Sequence, residues 1–343
     1  MTIPLESIPS LTAAAALELA TKEYGVGGTI SALPSERDQN FLIGGAAVGK
    51  FILKIANSHD SLELLDFQNQ AMRRVRTTVA ECRVPRIECT LQGLEITQIH
   101  NARTGTDHHV RLLSWIDGEV LAKCEARGPA LFESIGANMA RIDTALCGYS
   151  HPAMRRVLQW DLRRAGMARE NAGLLPHERR THVERLFSLW EDIDWTGLRH
   201  GVIHGDANDY NIIVEEGRMV GILDFGDMVY TATVCDLAIA LAYAMLGEQE
   251  PLSVAVQVIR AYQRCFPLTP AEQQALYPLI LSRLGMSVCY AAHNRARNPD
   301  DPYQVVTEAA AWNLLDRLGQ VPAADAFELI RAACATPGSV APG

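Results

Sequence analysis

The spacing of apolar positions changes character partway along the chain. Residues 11–23 (LTAAAALELATKE) read as a short helix ended by Gly25, the residue type that most readily takes the left-handed turn at a helix terminus. Short β-like runs follow at 28–33, 41–44 and 50–56, separated by turn-rich segments. A helical segment over 62–79 and two more strand signals, Leu94–Gln98 and Val110–Trp115, complete a small antiparallel sheet with one inserted helix. Ser114–Leu121 (SWIDGEVL) reads as a connector, and beyond it the period becomes helical. Leu131, Ile135, Met139, Ile142 and Leu146 recur every three or four residues. Similar stripes run through Val183, Leu186, Phe187 and Trp190, and across 252–264, 271–292 and 306–318. Only two β runs interrupt this region, Ile212–Val214 and Val220–Leu223. The Pro/Gly/Ser-rich end predicts a disordered tail. The pattern therefore predicts an α+β chain: a β-rich N-terminal lobe (1–113), a hinge (114–121), a helical lobe carrying one hairpin (122–335) and a tail (336–343).

A chain of 343 residues suits two lobes better than one core. The net charge of −9 argues against nucleic acid, whose backbone needs clustered Lys and Arg, and is compatible with attraction of a cationic small molecule. Eight cysteines without CxxC or Cys/His ligand spacing read as reduced, mostly buried thiols. The opening segment carries acidic residues and no basic run, so it does not read as a secretory leader. The longest apolar stretch, Leu237–Leu246, is short for a bilayer. Together these features predict a cytoplasmic protein with no membrane or nucleic-acid partner, and none of them speaks to oligomeric state.

The chemistry concentrates in Gly201–Asp227, GVIHGDANDYNIIVEEGRMVGILDFGD. Asn211 follows Asp206 by five residues, one β run comes next, and a second delivers Asp224. Phosphoryl transfer to an alcohol needs these residue types in this order. One carboxylate orients the entering hydroxyl and takes its proton, a role for Asp206. An amide oxygen and a second carboxylate, Asn211 and Asp224, hold a hard divalent cation, Mg²⁺, against nucleotide phosphates. His204 is the candidate to orient the loop through hydrogen bonds.

HGDxxxxN followed by a DFG-like aspartate resembles the aminoglycoside phosphotransferase and choline kinase superfamily, relatives of protein kinases. LPSERDQNF (33–41), VIHGDANDYNIIV, LDFGDM and NPDDPY (298–303) look like its hydroxylysine kinase-like branch, over about residues 9–329. The resemblance implies a bilobal, protein kinase-like fold. It also implies a small-molecule kinase using ATP or GTP with Mg²⁺ on a hydroxyl of an amino alcohol or hydroxy amino acid, 5-hydroxylysine first. Homoserine, ethanolamine, choline and aminoglycosides are the alternative acceptors, and a catalytically inactive nucleotide-binding regulatory module is the alternative function.

The resemblance also assigns nucleotide contacts. Lys54, inside the run KFILKI, takes the place of the phosphate-binding strand lysine, and Lys50 reads as an exposed turn residue. Ser35, in a loop without glycine, is the candidate β- or γ-phosphate contact, and main chain around Ser114–Ile116 would meet the base. The inserted helix departs from the family pattern, with Gln68 where a lysine-pairing glutamate is expected and Glu63 or Asp66 as substitutes in another register. For the acceptor, Asp209, Asp227, Asp161 and Asp300–Asp301 are candidates to meet an ammonium group. Arg163, Arg295 and Arg297 are candidates to meet a carboxylate.

Overall fold

A computed structural model of the chain describes residues 7–35, 37–45, 49–101, 104–297 and 307–335. The NPDDPY segment with Asp300 and Asp301, Glu36 of the Pro34–Gln39 loop, and the tail from 336 lie outside the described residues. Two compact units emerge. The first comprises residues 1–78, 83–117 and 151–153, and the second comprises 79–82, 118–150 and 154–343.

In the first unit, α1 (Ala13–Tyr24) starts at Thr12, whose side chain accepts from the Ala15 amide, and stops at Gly25 with φ 69°. Strands β1 (Thr29–Leu33), β2 (Gln39–Gly45) and β3 (Gly49–Ile55) precede α2 (Leu62–Thr78), and β4 (Ile87–Glu88), β5 (Thr97–Asn101) and β6 (Thr106–Ser114) follow it. All six strands form one antiparallel sheet in the order β1-β2-β3-β6-β4, with β5 on β6. Alternation along β3 buries Leu53 and Ile55 against Phe41, Ile43, Val110, Leu112 and the Ala16–Ala20–Tyr24 face of α1, leaving Lys50, Ile52 and Lys54 on the other side. The fifth strand lies three residues later than its sequence signal. Thr90 and Leu94 close a turn, through an amide-to-carbonyl bond of 2.7 Å and a second bond to the Thr90 hydroxyl, which removes Leu94 from the sheet.

The second unit opens with β7 (Glu119–Val120), then α3 (Pro129–Leu146), short α4 (Ala165–Arg169) and α5 (His177–Glu191). Strands β8 (His200–Ile203), β9 (Ile212–Glu215), β10 (Arg218–Ile222) and β11 (Val229–Ala232) come next, followed by α6 (Val234–Ala244), α7 (Pro251–Cys265), α8 (Pro270–Arg297), α9 (Glu308–Leu318) and α10 (Ala323–Cys334). Five strands stand where two β runs were anticipated. β7 joins the β9–β10 hairpin, and β8 pairs with β11. Each added strand is only two to four residues long, too short for periodicity to register. Every residue of α6 is buried. Helix α8 has the length and apolar composition to cross a bilayer, but its apolar window is wholly buried inside the fold, as in a core helix.

Candidate active site

Two ladders bring the motif residues together. β9 and β10 meet through a two-residue turn, Glu216–Gly217, both with positive φ, the turn that matches strand twist. The hairpin therefore returns the chain so that the Leu223 amide donates to the Asn211 carbonyl at 2.8 Å. The β8–β11 ladder, with Val229 opposite Ile203, draws the loop after Ile203 beside the loop before Val229. Gly205, at φ 82°, is where the loops touch: a Cβ there would stand 2.4 Å from the Asp227 carbonyl oxygen.

His204 ties both loops at once. Its Nδ1 accepts from the Asp206 amide at 3.2 Å, and its Nε2 is 2.9 Å from the Leu223 carbonyl, so Nε2 carries the hydrogen. Burial lowers its pKa, which keeps the ring neutral and this tautomer in place. Asp236, a fully buried residue of α6, accepts from the His204 amide at 3.0 Å and the Gly205 amide at 2.8 Å. Asp236 thus fixes the turn that presents Asp206. The sequence reading passed over it, although one carboxylate in the apolar run VCDLAIALAYA was a signal.

Three side chains hold the Asp206 carboxylate. Oδ2 accepts from Asn208 Nδ2 at 2.9 Å and Asn211 Nδ2 at 2.8 Å, and Oδ1 accepts from Arg283 Nη2 at 2.9 Å. Burial pushes this carboxyl up to about 7. Arg283 pulls the other way most strongly, and the Asp227 and Asp224 charges add to the rise. Arg283 was also missed. It is a lone cation in the apolar stretch of α8, between Glu272 and Arg295.

Asn211 and Asp224 have the donor chemistry of a hard-cation site. Asn211 Nδ2 also donates to the Asp206 carbonyl at 2.9 Å, so both amide hydrogens are spent and Oδ1 keeps its lone pairs. Asp224 is exposed at φ 52°, a left-handed conformation unfavourable for a residue with a Cβ, and one of its oxygens accepts from the Gly226 amide at 3.1 Å. Among the described residues no group of three or more His, Cys, Asp or Glu is placed to hold a metal. Two hard oxygen donors match a magnesium ion completed by phosphates and water, and do not match zinc.

The remaining candidates divide. Asp209 is buried with Oδ1 unpartnered among the described residues, and burial pushes it up to about 6. Asp227 is likewise buried. Asp161 is different: its Oδ1 caps the turn at Arg163 (3.0 Å) and accepts from the Thr231 hydroxyl (2.9 Å), so it serves the fold. Arg163 and Arg297 are exposed, and Arg295 pairs with Glu308.

In the first unit, Lys54 lies opposite Arg111 in the β3–β6 ladder. Gln68 does not partner Lys54. Its oxygen accepts from Arg111 Nη2 at 2.8 Å, and Asn69 accepts from Nη1 at 2.8 Å. Asp66 is engaged by Gln70 and His151. Ser35 Oγ closes an exposed turn by accepting from the Asp38 amide at 3.2 Å. The Ser114 amide is paired with the Arg86 carbonyl and the Trp115 amide with that of Lys50. The Ile116 amide, next along the hinge, has no hydrogen-bond partner among the described residues, and neither do those of Asp117 and Gly118.

Comparison with known proteins agrees with this arrangement. A hydroxylysine kinase of Mus musculus is 30% identical over 343 residues, covering 90% of each chain. An amicoumacin kinase solved with AMP-PNP and Ca²⁺ superposes with a TM-score of 0.69 at 14% identity, over 91% of this chain and 96% of that one. A microcompartment-associated aminopropanol kinase does so at 0.66 and 15% identity, over 94% and 95%. These structures share the kinase-like fold, an antiparallel-sheet region followed by a helical one. Residues 29–276 match the phosphotransferase enzyme family. The chain belongs to that family, and it is a small-molecule kinase.

Proposed function

We propose that this kinase transfers the terminal phosphoryl group of ATP or GTP to the hydroxyl of a hydroxy amino acid, 5-hydroxylysine foremost. The observation that carries the reading is the meeting of Asp206, Asn211 and the Asp224 loop within one hydrogen-bonded cluster, in a chain 30% identical to a hydroxylysine kinase. Asp206 orients the acceptor hydroxyl and takes its proton. Asn211 Oδ1 and Asp224 would hold Mg²⁺, which when bound neutralises charge building on the transferred group. Lys54 and Ser35 are the phosphate contacts of the first unit, and the Ile116 amide is its contact for the base. Asp209 and Asp227, two buried carboxylates in the Asp206–Asn211 loop and the Asp224 loop, suit the ammonium group of a cationic acceptor. The setting proposed is the cytoplasm, in keeping with eight cysteines that are all free thiols.

The test is direct. The purified chain is given MgATP or MgGTP with 5-hydroxylysine, homoserine, ethanolamine, choline and an aminoglycoside, and phosphorylated product is quantified. The expected result is the highest kcat/KM for 5-hydroxylysine. Turnover of another acceptor without 5-hydroxylysine would reassign the substrate, and nucleotide binding without any turnover would favour the inactive regulatory module.

A further inference from the structure

Arg283 is 2% exposed, and only its Nη2 is engaged, by Asp206 Oδ1 at 2.9 Å and the Tyr243 hydroxyl at 3.2 Å. Its Nε and Nη1 are buried without a hydrogen-bond partner among the described residues. Removing a guanidinium from water with two donors unmet disfavours the folded state, a cost that its pairing with the Asp206 carboxylate works against. Two aromatic rings nevertheless flank the group. Its carbon lies 4.5 Å from the Trp160 ring centroid and 5.3 Å from that of Tyr243. Trp160 is itself braced edge-on by Tyr290, whose hydroxyl donates to the Gln159 carbonyl at 3.0 Å. A costly cation, stacked against two rings so that one nitrogen meets one carboxylate oxygen, is arranged for direction.

The consequence falls on which oxygen of Asp206 meets the acceptor. Oδ2 already accepts two amide hydrogens, from Asn208 and Asn211, which fills its in-plane lone pairs. Oδ1 accepts one, from Arg283, and keeps one free. We propose that Arg283, stacked against Trp160 and Tyr243, is a positioning residue that locks the Asp206 carboxylate so that Oδ1 is the oxygen presented to the acceptor hydroxyl. This rests on the reading of Asp206 as the acceptor-activating group and extends it to three residues outside the loop motif. Arginine is required because a lysine in its place carries the charge without the planar face or the fixed fork.

The experiment compares Arg283→Met, Arg283→Lys and Tyr243→Phe with the wild-type and with Asp206→Asn, using whichever hydroxy-amine of the acceptor panel the wild-type turns over. Misplacing a reacting group by about 1 Å costs about 10²-fold in rate. Arg283→Met is therefore expected to lower kcat about 10²-fold with nucleotide KM within about threefold, and to lower Tm because Asp206 loses its cation, whereas Arg283→Lys keeps the charge and should hold Tm nearer wild-type. Arg283→Lys should recover only part of kcat, and Tyr243→Phe should lower it several-fold. Full recovery by lysine would make the role one of charge alone and overturn the proposal. Wild-type kcat in Arg283→Met, with Asp206→Asn inactive, would overturn it while leaving the reading of Asp206 intact, whereas an active Asp206→Asn would sink that reading itself. Should no acceptor be turned over, crystal structures of Arg283→Met and Arg283→Lys decide: a carboxylate of Asp206 rotated away from its wild-type position supports the proposal, and an unmoved one refutes it.

Discussion

A carboxylate that activates an alcohol must hold still and yet keep a lone pair for the reaction. Asp206 does both because its neighbours donate to three of its acceptor positions and leave the fourth. Asparagine at this position keeps the shape but supplies an amide nitrogen that cannot accept the hydroxyl proton. Asp206→Asn should therefore lower kcat by about 10³-fold, with nucleotide affinity measured by calorimetry nearly unchanged. Asp224 acts at a different step. If Asp224 is the cation ligand proposed, Asp224→Ala should weaken Mg²⁺-dependent nucleotide binding by about tenfold or more, while binding without Mg²⁺ changes little; equal loss in both conditions would argue against the assignment. These residues were readable because they stand within one stretch of sequence in the order that the chemistry needs. Arg283 and Asp236 were not, because an arginine or aspartate on a helix is ordinary until the fold shows what it touches.

At the scale of elements, the catalytic geometry belongs to two short ladders and to the glycine between them. The β9–β10 hairpin could be read from its two apolar runs, whereas β8 and β11 could not. Their pairing spans the whole motif, and neither HGVI nor VYTA alternates apolar with polar positions. Gly205 is the contact that lets these ladders close. In Gly205→Ala the new Cβ would meet the Asp227 carbonyl oxygen at 2.4 Å from a backbone at φ 82°, and neither side of this contact is a flexible side chain. A left-handed alanine alone costs about 1–2 kcal/mol, and the displaced carbonyl adds to it. We expect a Tm lower by about 4–8 °C and kcat reduced at least tenfold, since the shift separates Asp206 from the Asp224 loop. A variant with wild-type Tm and kcat would show that the loops are held together elsewhere. In the first unit the strand lysine was legible, but the use of Gln68 and Asn69 was not. Arg111 claims both amides, and its place opposite Lys54 depends on strand register.

At the scale of the whole molecule, the buried carboxyls give stability a pH dependence. Asp143 is 2% exposed and accepts the Tyr262 hydroxyl at 2.6 Å; burial first, and then the neighbouring Asp236 charge, raise its pKa well above the usual carboxylate range. Folded Asp143 therefore keeps a proton that the unfolded chain has released by about pH 4. Stability is full below that pH and declines as pH rises toward the folded value, by up to about 1.4 kcal/mol per pH unit for one proton. The lowered pKa of buried His204 acts in the opposite sense, but only below about 6.5, where its unfolded counterpart titrates. Relative to wild-type, the Tm of metal-free Asp143→Asn should rise as pH rises above about 4, and an offset that does not change with pH would place the effect elsewhere.

By itself the amino-acid sequence determined the family, the division into a sheet-rich and a helical region, and the motif that nominates Asp206, Asn211 and Asp224 for phosphoryl transfer. All of these are written in local periodicity or in one contiguous motif, where residue type and spacing already carry the chemistry. Only the tertiary structure decided which oxygen of Asp206 keeps an unfilled lone pair, that Arg283 holds this carboxylate while Asp236 holds the turn before it, that Asp161 caps a turn, and that Gln68 answers to Arg111. Such assignments depend on which distant side chains share a buried space, and burial, which sets both hydrogen-bond partners and proton affinity, is a property of the packed chain.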